Sequence, residues 1–200
     1  MLALVAAVPA QSSSLDPATD RLFTAALAHR VAAVSALRPQ FRAKMHVWTL
    51  AAYVADPQKN AASFVDGFPT TAAGIRDDYG YLWLGGALGG VNPYGTLATL
   101  ANHGNQDALH KLSLAAGLVP DGFIGAELQD DLAHVAQTRP AETLSAIAAL
   151  PADVRDHVTA GKVTWCESGA AILHVRTGGE AADAQRRISA TIDAECPSEK

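Results

Sequence analysis

The sequence predicts an all-α protein: an irregular helical stack, or a short α-solenoid of the HEAT type, built from antiparallel helices. Three observations point there. Alanine is abundant while Val, Ile and the aromatics are modest, which favours helix over sheet. Apolar residues recur at helical spacing in segment after segment. Pro, Asn, Asp and Gly punctuate these segments at short intervals, and short connections make neighbouring helices antiparallel. With 200 residues, 49% apolar and 18% charged, the chain can bury a core and is too apolar to stay disordered.

The first segment, 1–15, is a signal-like apolar stretch followed by a serine linker, and 16–200 is read as one helical domain. "MLALVAAVPA" resembles the hydrophobic and cleavage regions of a secretory signal, with Val8 and Ala10 where small residues precede cleavage, but without a basic leader. The expectation is export, to the periplasm or outside the cell, with the cytoplasm as the alternative. Asp16 is an N-cap with Pro17 at the first helical position. Leu22, Phe23, Ala26, Leu27, Val31 and Val34 continue one helical stripe to Pro39. A second helix is expected over 40–55, ending at "DP", and a short one over 59–65 before the turn "DGFPTT".

The glycine-rich run "GYLWLGGALGG" comes next. It lacks the spacing of a phosphate-binding loop. Gly85 and Gly89, and Gly86 and Gly90, are four apart, which suggests a close helix-packing face with a bend near 89–92; a loop or a ligand cradle are the other readings. Pro93 starts the next helix, and "NHGN" at 102–105 reads as a glycine stop followed by an Asn105 cap. "GLVPDG" turns the chain into a helix with the stripe Ile124, Leu128, Leu132 and Val135. Pro140 and Pro151 open two more, and Gly161 closes the second. "AILHV" at 171–175 reads as a buried helix, with a small β element near 162–176 as the alternative. An amphipathic helix over 180–195 ends the chain, with Ala184, Ile188 and Ile192 inward and Arg186 and Arg187 outward.

A net charge of −5, with no basic run, argues against nucleic acid as a partner. No apolar stretch reaches the ~20 residues of a membrane span. The two cysteines, Cys166 and Cys196, belong to no metal or redox motif, and export would make them a disulfide closing a loop of about 30 residues. No cofactor motif is present, and the letters do not set the oligomeric state.

Three polar clusters are candidate sites. His103, Asp107 and His110 would share a helix face, but Gly104 interrupts it. Adjacent Asp77 and Asp78 point about 100° apart on a helix, so a catalytic role requires a distant histidine such as His46 or His103. Glu127, Asp131 and His134, with Asp130 beside them, have metal-like spacing on a face that is otherwise solvated helix surface. The leading expectation is a non-catalytic protein that binds a protein partner through the Gly/aromatic segment 79–95, using Tyr79, Tyr81, Trp83 and Tyr94. A hydrolase with an Asp/His acid–base site near the same segment is the alternative, and a small-ligand carrier is a third.

Overall fold

A computed structural model describes residues 15–196. Helix α1 (Pro17–Leu27) opens on Asp16, whose Oδ1 accepts from the Ala18 and Thr19 N–H groups while Oδ2 accepts from the Thr19 hydroxyl. Asp16→Ala is expected to cost about 1 kcal/mol of stability, measured by urea unfolding. The stripe read as one helix through Pro39 breaks after α1. His29 takes a left-handed conformation (φ 53°), and the Arg30 N–H closes back on the Ala25 carbonyl. This is a glycine-type helix stop made by histidine. The His29 imidazole also donates from Nδ1 to the Ala55 carbonyl at 3.0 Å, tying the corner to another helix end. The chain restarts as α2 (Val31–Leu37), tightens into a 3₁₀ stretch (Arg38–Lys44) around Pro39, and continues as α3 (Met45–Ala55) and α4 (Pro57–Asp66).

A π-helical turn (Gly74–Gly80) and the single turn α5 (Tyr81–Leu84) lead to α6 (Pro93–Asn102). The chain continues through α7 (Gln106–Leu118), α8 (Gly122–Thr138), α9 (Pro140–Ala148), α10 (Ala152–Thr159), α11 (Lys162–Leu173) and α12 (Gly179–Glu195). The described residues contain no strand, and the first three residues of "AILHV" complete α11: Ile172 is fully buried, His174 is the C-cap and Val175 lies beyond it. The predicted stop and start at 104–105 is present, with Gly104 at φ 98° and the Asn105 side chain accepting from the Ala108 N–H.

Helices α1–α4 pack on one another, and α4 meets α7. Helix α8 lies against α6, α7, α9 and α11, while α12 returns to cover α9, α10 and α11. Contacts of this kind join elements distant in the chain. They select the irregular stack over a solenoid, in which each unit touches only its neighbours. One continuous core joins Phe23, Leu50, Phe68, Leu97, Leu128, Leu144 and Trp165. Trp165 is fully buried, and its indole N–H donates to the Val158 carbonyl at 2.8 Å. Gly169 leaves room for Ile192 of α12, and the Cys166–Cys196 disulfide fastens the end of that helix to α11. No helix among the described residues is long and apolar enough to cross a membrane. The signal-like stretch over 1–10 lies outside the described residues.

Candidate functional site

The π-helical turn organises a polar junction of the fold. Thr71 Oγ1 accepts from the Gly74 N–H, and a Cβ at Gly74 would meet Pro69 at 2.7 Å, so the turn starts on a residue that must be small. Its far end, Gly80, lies against Ile124 of α8, 3.2 Å from where a Cβ would stand. Two buried tyrosines hold the coil from inside. Tyr79 donates its hydroxyl to the His46 carbonyl at 2.7 Å, and Tyr94 donates to the Ile75 carbonyl at 2.7 Å. Burial raises both phenol pKa values well above the ordinary tyrosine range, so both stay protonated donors. Tyr94→Phe removes the partner of a buried carbonyl and is expected to cost about 1–2 kcal/mol in denaturant unfolding.

Asp78 stands on this turn and reaches back to the start of α3. Its Oδ1 accepts from Lys44 Nζ at 2.8 Å and its Oδ2 meets His46 Nε2 at 2.8 Å. Burial alone would push the Asp78 carboxyl up, but the hydrogen bonds and charges of Lys44 and His46 together outweigh it and hold the carboxyl below its usual value. The Asp78 and His46 side chains are 23% and 21% exposed, so the pair sits at a rim, neither sealed nor fully solvated. One groove of about 520 Å³ runs along Arg42, His46, Phe68, Pro69, Thr71 and Asp78. A smaller one of about 140 Å³, lined by Leu15, Thr19, Lys44, Val47, Asp78 and Tyr81, lies on the other side of the carboxylate. Asp77 faces solvent and binds Arg76 at 2.7 Å; that hydrogen bond lowers its pKa. It takes no part in the histidine pair.

The aromatic segment divides. Tyr79 and Tyr94 are fully buried and belong to the core, which corrects their expected role as surface anchors: each ring packs edge-on against Phe68, and each hydroxyl serves a backbone carbonyl. Tyr81 and Leu84 are exposed, three residues apart on α5. Trp83 is half-buried, its ring 5.7 Å from Tyr94 on one side and 5.7 Å from Phe123 on the other. Phe123 is 63% exposed and Leu84 61%. The glycines do not form the expected helix-packing face. The helix ends at Leu84, and Gly86, Gly89 and Gly90 all adopt positive φ in a run of turns. A Cβ on Gly89 would strike Leu27, so this turn lies under an exposed leucine of α1.

The remaining candidates stay apart. His103 caps α6 and donates from Nδ1 to the Thr99 carbonyl at 2.7 Å. Glu127 accepts from Asn92 at 2.6 Å, His134 is exposed, and among the described residues no three metal-ligating side chains converge. Asp131 differs from both: its Oδ2 is buried without a hydrogen-bond partner among the described residues. Burial first, then the nearby Glu127 and Asp130 carboxylates, raise its pKa to about 7.

Sequence reasoning missed Lys44, Leu27 and Phe123. The first two lie far along the chain from the segments they join. Phe123 was detectable, because it precedes the Ile124 stripe by one position and shares the face of Glu127 and Asp130. An aromatic on a polar face is a signal of exposure. Comparison with protein-family models, with curated proteins and with solved structures gives no match.

Proposed function

We propose that the chain binds a protein partner through the apolar face around the turn 81–90. The observation that carries this reading is the exposure of Leu84 and Phe123, the latter resting on the half-buried Trp83. A large apolar side chain held outward by a ring beneath it, as Phe123 is by Trp83, acts as a preformed anchor with little ordering cost on binding. Tyr81 and Leu27 extend the same neighbourhood. Exposed Asp121 caps the helix that carries Phe123, and half-buried Glu127 and exposed Asp130 lie further along it. These carboxylates suit a partner with apolar side chains at the centre and cations at the rim. Export and the disulfide belong to the same reading, since a two-cysteine clamp suits an oxidising compartment.

The test places a photo-crosslinking side chain at position 84 in the living host, with position 187 as the control. The expected result is one protein adduct from position 84 alone. That protein, purified, should then bind the wild-type chain and bind Phe123→Asp at least tenfold more weakly. Equal adducts from both positions, an adduct of two copies of this chain, or unchanged affinity in Phe123→Asp would each overturn the proposal.

A further inference from the structure

The His46–Asp78 pair carries a chemistry that the binding reading does not use. Asp78 is doubly engaged: Lys44 holds Oδ1 while Oδ2 meets His46. A carboxylate held at one oxygen presents the other in a fixed direction, and that fixes the imidazole in turn. The backbone beneath is also fixed, since Tyr79 and Thr49 both donate to the His46 carbonyl. With Nε2 committed to Asp78, Nδ1 is the nitrogen left for chemistry, and it makes no hydrogen bond among the described residues. His46 borders the groove of about 520 Å³, whose walls include Met45, Phe68 and Pro69, with the Arg42 cation at its edge. The π-helical turn that supplies Asp78 is a backbone form often found where a side chain must be aimed.

We propose that His46, positioned by Asp78, is the general base of a water-driven acyl-hydrolysis site in this groove. No serine, threonine or cysteine side chain among the described residues bonds to the His46 ring, so the nucleophile is water. His46 Nδ1 takes a proton from water as the water oxygen bonds to the acyl carbon. The ester C–O bond then breaks, and the same proton passes from His46 to the departing alcohol oxygen, leaving an acid and an alcohol. Asp78 stabilises the imidazolium between these steps. The groove's apolar wall and Arg42 suit a small ester that carries a carboxylate.

The assay uses the full chain with mono-p-nitrophenyl succinate, and with p-nitrophenyl acetate as the uncharged comparison. Expected results are a loss of about 100-fold or more in kcat for His46→Ala, a comparable loss for Asp78→Asn, and a raised KM for the succinate alone in Arg42→Ala. His103→Ala should leave the rates unchanged, which separates this site from unspecific surface histidines. Circular dichroism of each variant checks folding, and His46→Gln provides a second, near-isosteric test. Wild-type turnover no higher than that of folded His46→Gln would overturn the proposal, as would an equal loss in His103→Ala.

Discussion

Replacing Cys166 and Cys196 together by serine should lower the unfolding free energy by roughly 3–4 kcal/mol, the chain-entropy value for a loop of about 30 residues. The separation of the two cysteines is 30, and they close α11 and α12 into one ring. The loss should be local in its first effect. Only Ala184 and Ile188 of α12 are buried, while Ile192, the last apolar anchor, is half-buried on Gly169. Without the clamp the final turns of α12 have little to hold them. Amide hydrogen exchange should therefore accelerate first after Ile188, before the body of the stack responds. The measurement is urea unfolding of the oxidised wild type against the double-serine variant. Wild type under reductant should match the variant. A difference below about 1 kcal/mol would show that the ring contributes nothing beyond the helix packing.

Asp131→Asn should stabilise the protein at pH 8 and leave it unchanged near pH 3. The Asp131 carboxyl has its folded pKa raised to about 7 from the ordinary value of 3.8, by burial first and then by Glu127 and Asp130. A raised folded pKa means that the folded state prefers the proton. Stability from this group is therefore fully present below the unfolded value and is lost as the pH rises to about 7. Above that, both states are ionised and the whole penalty stands. About three pH units at about 1.36 kcal/mol each set a ceiling of about 4 kcal/mol, and partial solvent contact reduces this to roughly 1–3 kcal/mol. Asparagine carries no charge, so the cost of ionising a group whose Oδ2 is buried without a partner among the described residues disappears. Unfolding curves of both proteins at a series of pH values from acid to mildly basic should diverge steadily across that range. Parallel curves would mean that the carboxylate is solvated after all.

The helical elements were largely legible because their ends are written in local chemistry. Asp16–Pro17, Pro93, Gly104–Asn105 and Pro140 each mark a boundary by removing a donor, supplying an acceptor or permitting positive φ, and each stands where the structure ends or begins a helix. The break at His29 was not legible. Histidine is an unusual helix stop, and its reason is a carbonyl 26 residues away. The glycine run is ambiguous for a related cause: four-residue spacing fits a helix face as well as a series of turns, and only Leu27 folding over Gly89 decides between them. The candidate site was legible in kind and incomplete in detail. Asp78 with His46 is among the acid–base pairings that the residue types suggest. Lys44, 34 residues from Asp78, carries no sequence mark of its part. Tyr79 and Tyr94 show why aromatics are weak evidence for a surface: their hydroxyls look polar in the letters but are satisfied inside the core.

The wide coil at 74–80 sets the bearings of the side chains on either side of it. A π-helical pass takes up about one residue more than an α-helical pass, and each residue turns the chain by about 100°. That surplus residue sets the phase between the chain on its N-terminal side and the chain on its C-terminal side. Delete it, and the segment can wind as ordinary α-helix, but Asp78 and the pair Tyr81–Leu84 can no longer both keep their present bearings. The carboxylate that meets His46 and the apolar side chains that face outward are thus geared to one inserted residue.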